Sequence, residues 1–125
     1  MSAGVLAHYS PGQIAAIQRL YELVRRHNGT SGGNSAAKLL LGLYNGYRFP
    51  FDLTNLRSFD PGNFEAAMTV IRMDAVRCYC EVHVLLDAIY ADGKSTGCEF
   101  ETWAYNQRMK GRCSKDNLPD ARRIR

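Results

Sequence analysis

The stretch Val76-Arg-Cys-Tyr-Cys-Glu-Val-His-Val-Leu-Leu86 decides whether this chain is all helical or carries a sheet. Val76, Cys78, Cys80, Val82 and Val84 alternate with Arg77, Tyr79, Glu81 and His83, the period of a half-buried strand. A helical stripe runs through the same segment, on Cys78, Val82, Leu85, Leu86 and Ile89. A lone strand would have no partner in a chain otherwise written as helices, and unpaired strands are not stable in water. The segment is therefore read as helix. The expected fold class is all-α: a single small domain of about five helices over residues 1–110, followed by a short basic C-terminal tail, 111–125.

The flanking sequence supports this reading. Upstream, Asp60-Pro61 supplies a cap and a first-turn proline, and Phe64, Ala67, Met68 and Ile71 follow at helical spacing to about Met73. Near the start, Ser10-Pro11 repeats that device ahead of Ile14, Ile17, Leu20, Tyr21 and Val24, with polar residues between them and Asn28-Gly29 as the stop. Gly29-Thr-Ser-Gly-Gly-Asn-Ser35 reads as a flexible connector to a second helix of roughly Ala36 to Asn45. Leu39, Leu40, Leu41, Leu43 and Tyr44 make that helix apolar almost all round, so it is placed at the centre. Pro50 forces Phe49 out of helix, and Asp52 can cap a short turn carrying Leu53 and Leu56. Ala91 to Gly97 reads as loop, and Glu99 to roughly Lys110 as the last helix, with Phe100, Trp103 and Ala104 inward.

Composition agrees with one globular domain. The chain has 125 residues, 46% hydrophobic, 22% charged and 10% aromatic, close to globular averages and far from collagen-like or disordered sequences. No apolar run approaches the roughly 18 residues that span a bilayer. Met1 to Ser10 lacks the basic and apolar regions of a secretory signal, so a cytoplasmic protein is expected, without membrane association. In that compartment Cys78, Cys80, Cys98 and Cys113 are expected as buried thiols rather than disulfides. One C-x-C and two isolated cysteines do not make the doubled ligand pairs of a zinc module, so no metal and no cofactor is expected.

Catalytic signatures are missing as well. Lys38 lies five residues after Gly33 and is followed by leucine, so the glycine-rich segment is not a phosphate-binding loop of the Walker type, and no dinucleotide fingerprint fits. His8, His27 and His83 are scattered. His83 points away from Glu81 on a helix, and Glu99 and Glu101 likewise diverge and read as a solvated face. The expectation is a protein that is not an enzyme. Tyr44, Tyr47, Phe49 and Phe51 around Arg48 form the sharpest local feature. They either stack on a partner or fill the joint between helices, with Arg48 paired to Asp52.

The location of charge is more informative than its total of +4. Residues 1–57 hold six basic and two acidic side chains, a balance of +4. Residues 58–107 hold three basic and eight acidic, a balance of −5. Residues 108–125 hold seven basic and two acidic, a balance of +5. The acidic middle suits docking on a basic protein surface, whereas a basic tail suits phosphates. Tyr47, Arg48, Asp74, Glu81, Asp87, Glu99 and Glu101 are the candidate partner-binding residues. Under the alternative of direct nucleic-acid binding, the candidates are Arg19, Arg25 and Arg26 on the first long helix and Arg108, Lys110, Arg112, Arg122 and Arg123 in the tail.

One long run has a family look. Leu40-Leu-Gly-Leu-Tyr-Asn-Gly-Tyr-Arg-Phe-Pro-Phe-Asp-Leu-Thr-Asn-Leu-Arg57 resembles the defining stretch of a family of small uncharacterised proteins. That family is carried on proteobacterial integrative elements and plasmids, notably in pseudomonads. The resemblance continues through Val70-Ile-Arg-Met-Asp74, Glu81-Val-His83 and Phe100-Glu-Thr-Trp103, covering roughly residues 36–104, and departs at Arg77 to Cys80 and in a longer tail. It brings no catalytic residues. It implies a mobile-element accessory protein, a setting that includes inhibitors of host defence such as anti-CRISPR proteins. The expected partner is a protein or nucleoprotein complex bound without catalysis.

Overall fold

Short polar side chains open each of the long helices whose starts the sequence marks. Ser10 Oγ accepts from the backbone N–H of Gln13 at 3.1 Å, and Gln13 Oε1 accepts from the Ser10 N–H at 2.9 Å. This reciprocal box, with Pro11 behind it, starts α2, Pro11–Arg26. Asp60 Oδ1 accepts from the Asn63 N–H at 2.7 Å and starts α4, Pro61–Val76. Asp52 takes the N–H and hydroxyl of Thr54 at 2.9 and 2.8 Å, capping a single 3-10 turn, Leu53–Ser58. These two bonds hold the Asp52 carboxyl below its ordinary pKa.

The computed structural model describes residues 2–27, 29–90 and 96–106, and the tail expected at 111–125 lies outside them. The remaining elements are α1, Ser2–Leu6; α3, Ser31–Tyr44; α5, Val82–Tyr90; and α6, Thr96–Asn106. No strand occurs among the described residues, and five of the helices exceed two turns, so the all-α expectation holds. Helix α3 is central, touching α2, α4, α5, α6 and the 3-10 turn, while α1 lies on α5. The core collects Ile17, Leu20 and Val24 of α2, Leu39, Leu40 and Leu41 of α3, Val70 of α4, Leu85 and Leu86 of α5, and Phe100 of α6.

Several expected boundaries move: α1 is an added helix, and α6 starts at Thr96, inside the loop expected at 91–97. The segment read as a connector is the first turn of α3, capped by Thr30, whose hydroxyl accepts from the Gly33 N–H at 3.0 Å. Only Gly29, at φ 94°, remains in the left-handed region that glycine tolerates. Gly33 is present because the end of α2 presses on it: a Cβ there would lie 2.2 Å from the His27 carbonyl oxygen. The segment Val76–Leu86 is neither one helix nor a strand. Helix α4 runs on to Val76, residues 77–81 form an irregular turn, and α5 starts at Val82, with the Glu81 carbonyl accepting from Val84 and Leu85. Tertiary contacts hold that turn open. Tyr79 stacks on His8 with ring centroids 3.6 Å apart, and the Tyr9 hydroxyl meets Cys80 Sγ at 3.5 Å.

The Gly33 contact gives a direct test of the helix packing. Alanine normally gains about 1 kcal/mol over glycine inside a helix. Here Gly33→Ala must displace backbone, so it is expected to destabilise the protein by roughly 1–3 kcal/mol, the cost of overpacking. Urea denaturation of both proteins measures it, and a variant at least as stable as the parent would contradict the packing argument.

Candidate functional site

Several charged residues proposed for contact are used up inside the fold. Glu101 is wholly buried, which overturns its assignment to a solvated face. Its carboxylate accepts from Arg48 Nη1 and Nη2, each at 2.7 Å, and from the Tyr44 hydroxyl at 2.9 Å. Arg48 therefore pairs with Glu101 across the fold and not with nearby Asp52. The planar guanidinium matches both carboxylate oxygens at once, and its far side lies over the Phe49 ring. Glu99 accepts a short hydrogen bond from the Tyr21 hydroxyl and lies 3.9 Å from Arg25. Burial and the Glu99 carboxylate push the Tyr21 pKa upward. In the same way, burial and the Glu101 bond push Tyr44 up to about 12. Asp87 is half-buried on α5.

The arginines of α2 are also engaged. Arg19 donates to Asn63 Oδ1 at 2.7 Å and sits 3.9 Å from Asp60, fastening α2 to the start of α4. Arg25 approaches Glu99, and Arg26 pairs with Glu22 one turn back at 3.1 Å. These three cations therefore do not stand together as an unpaired basic patch. Arg108, Lys110, Arg112, Arg122 and Arg123 lie outside the described residues. Of the aromatic stretch, Phe49 is core, Tyr44 and Phe51 are half-buried, and Tyr47 stands 97% exposed. A concavity of about 250 Å³ between α2, α3 and α6 is lined by Arg25, Asn34, Glu99, Thr102 and Trp103, where Arg25 and Glu99 already satisfy each other.

The charges left over gather where α4 ends. Asp74 on α4, Cys78 in the turn and Glu81 before α5 bring one ligand-type atom each within 4.8 Å of one another. Cys78 Sγ lies 3.7 Å from Asp74 Oδ1 and 3.6 Å from the Cys80 carbonyl. Partial burial and the Glu81 charge raise the Asp74 pKa, against the lowering hydrogen bond from Cys78. Desolvation and both carboxylates likewise raise the Cys78 thiol. A thiol held protonated is a poor nucleophile, so this cluster does not activate Cys78 for covalent chemistry. Its mixed oxygen and sulfur donors are the described groups that could share a divalent ion, one donor short of the four of a closed zinc site. Cys78 and Cys80 are free thiols, but Cys78 is exposed and Cys80 only half-buried, so the expected burial fails where the turn 77–81 carries them to the surface.

Beside this acidic knot, Arg72 and Arg77 are exposed and have no ion-pair partner among the described residues. They line a groove between α4 and the junction of α1 with α2, together with His8, Tyr9 and Gln13. Sequence reasoning missed them because they fall in the block that is acidic on average. The end of α4 is thus dipolar: two unpaired arginines line the groove on one side, and two carboxylates with a thiol gather on the other, Asp74 lying about 160° round the helix from Arg72, all built by the turn that the alternating pattern disguised.

A small all-helical single domain is the class that the fold defines. The chain belongs to the family of unknown function DUF7673, whose model matches residues 14–98, from α2 into the start of α6. No curated protein and no solved structure matches it. No described helix is long and apolar enough to cross a membrane.

Two substitutions test the electrostatics. Arg48→Met strands a buried carboxylate and is expected to cost roughly 3–5 kcal/mol, much of which the double variant Arg48→Met/Glu101→Leu recovers. Chemical denaturation of the single and double variants measures this, and equal losses in both would refute it. For Asp74 the folded pKa is raised, so the folded state holds the proton more tightly than the unfolded chain. Stability falls as pH rises through the unfolded value of 3.8 to the folded one, and stays lower above it. Asp74→Asn is therefore expected to raise the melting temperature near pH 7 and to lose that advantage near pH 3, where both states are protonated. Melting curves at the two pH values check the sign.

Proposed function

We propose that this chain is a non-enzymatic accessory protein of a mobile genetic element that binds a nucleoprotein complex in the cytoplasm, acting as an inhibitor of the anti-CRISPR type. The observation that carries the reading is the dipolar end of α4. Arg72 and Arg77 have no ion-pair partner among the described residues, while Asp74 and Glu81 crowd together beside them. Opposite charges displayed side by side complement a surface that presents phosphates next to basic protein side chains. Arg19, Arg25, Arg26, Arg48, Glu99 and Glu101 are ion-paired internally, which concentrates recognition on this end of α4. Tyr47, almost fully exposed in the turn after α3, supplies an aromatic contact of the kind enriched at binding hot spots.

The test is affinity capture of the tagged full chain from cells carrying a host defence complex, alongside an Arg77→Glu/Glu81→Arg variant that reverses the polarity of the face. The parent is expected to retain a complex containing both protein and nuclease-sensitive nucleic acid, and to restore phage plaquing on an immune host. The charge-swapped variant is expected to lose at least tenfold of both. Unchanged immunity with clean captures would overturn the proposal.

A further inference from the structure

The two arginines of that face occupy a groove with more definition than a charged patch. Its floor is α4 and its opposite wall the junction of α1 with α2; between them lie Gln13, whose Oε1 is held by the Ser10 N–H, and Thr69, whose hydroxyl donates to the Glu65 carbonyl. Its volume is about 360 Å³, and it runs on past Arg77 into a second concavity walled by His8, Cys78 and Tyr79. Arg72 stands in the last turns of α4 and Arg77 is its C-terminal cap, so the groove carries two cations in succession along its length. At the Arg77 end, the rings of His8 and Tyr79 lie face to face, inclined by 18°. Tyr79 is still 49% exposed, so this aromatic pair presents π surface to solvent at the groove edge. Asp74 and Glu81 gather on Cys78, none of the three except Cys78 lining either concavity, so they repel phosphate from their own side and leave the anionic part of a ligand to the wall that carries Arg72 and Arg77.

We infer that this groove binds single-stranded nucleic acid, with Arg72 and Arg77 on successive backbone phosphates and a base stacked on the His8–Tyr79 pair. Base stacking selects a single strand because a duplex hides its base faces. The inference deepens the nucleoprotein reading, and rests on it in taking this face as the contact surface. A free nucleotide offers the same chemistry with fewer phosphates.

The experiment is fluorescence anisotropy of a labelled oligo-dT of about 15 nucleotides with the full-length chain, from low to physiological salt, with a duplex of equal length, dTMP and inorganic phosphate as competitors. Arg72→Gln/Arg77→Gln is expected to weaken oligo-dT binding at least ~10-fold and to lower the salt slope by about 1.4, the share of two single-strand phosphates. Tyr79→Ala is expected to cost about 5-fold or more, Tyr79→Phe to bind as the parent, and Arg57→Gln, outside the groove, to change nothing. Far-UV circular dichroism confirms that each variant is folded. Binding that survives Arg72→Gln/Arg77→Gln within about twofold, duplex competing as well as single strand, or no binding at low salt would each overturn the inference. Preferential displacement by dTMP would overturn the strand in favour of a free nucleotide. If the groove fails while capture of a nucleoprotein complex succeeds, only this inference falls; groove binding without any captured complex removes the nucleoprotein reading and leaves the site.

Discussion

A carboxylate with no exposure to water, Glu101, is the constraint around which the rest of the molecule is arranged. Desolvating that charge is expensive, and the cost is offset only because Arg48 meets both oxygens in plane and Tyr44 supplies a third donor. The pairing fixes the turn after α3 against α6. That turn carries its own bonds, from the Arg48 and Phe49 N–H groups back to Asn45, and it delivers Phe49 into the core. From Tyr44 an unbroken aromatic run crosses the interior, through Phe100 and Trp103 of α6 to Tyr21 of α2 and Tyr90 of α5. The three tyrosines of this run each place a hydroxyl on a glutamate of another element: Glu101, Glu99 and Glu22. Large rings fill volume while their polar tips find partners, so four helices are tied together without leaving these hydroxyls unpaired.

What could be read from the sequence follows the range of the interactions involved. Ser10, Asp52 and Asp60 act on residues two or three positions away, so α2, the 3-10 turn and α4 were legible from their caps and prolines. The central place of α3 was legible too, because a helix apolar all round has no face to give to water. Gly33 was not, since its reason is a carbonyl from the end of α2 that only the folded chain brings near. Residues 77–81 were misread for the same reason. Their alternation is genuine, but His8 and Tyr9, some seventy residues earlier, hold the turn open. Arg48 and Asp52 were matched as near neighbours, while the better geometric partner lay 53 residues on.

The candidate site shows the same division. Asp74 and Glu81 were singled out from the sequence, as members of an acidic block, and the fold brings them to one place. Arg72 and Arg77 sit in that block and were averaged away. Arg19, Arg25 and Arg26 looked like a basic stripe because the acids they meet, Asp60 and Glu99, arrive from other helices, and Glu22 from the preceding turn. Block charge describes a chain, whereas recognition depends on which charges remain after the fold has paired the others.

Asp74 has a position that stability alone would not choose. It lies in the last turn of α4, where the helix dipole already presents negative charge, and it is partly desolvated with Glu81 nearby. Arg77, which caps that helix, has the opposite relation to the dipole and is placed favourably, yet it takes no carboxylate partner among the described residues although Asp74 and Glu81 are close in sequence. A fold organised only for stability would let these charges neutralise one another, as Arg48 and Glu101 do. Keeping them apart at one end of α4 maintains a local field that the fold itself does not neutralise, and this is the physical ground on which the proposed contact surface rests.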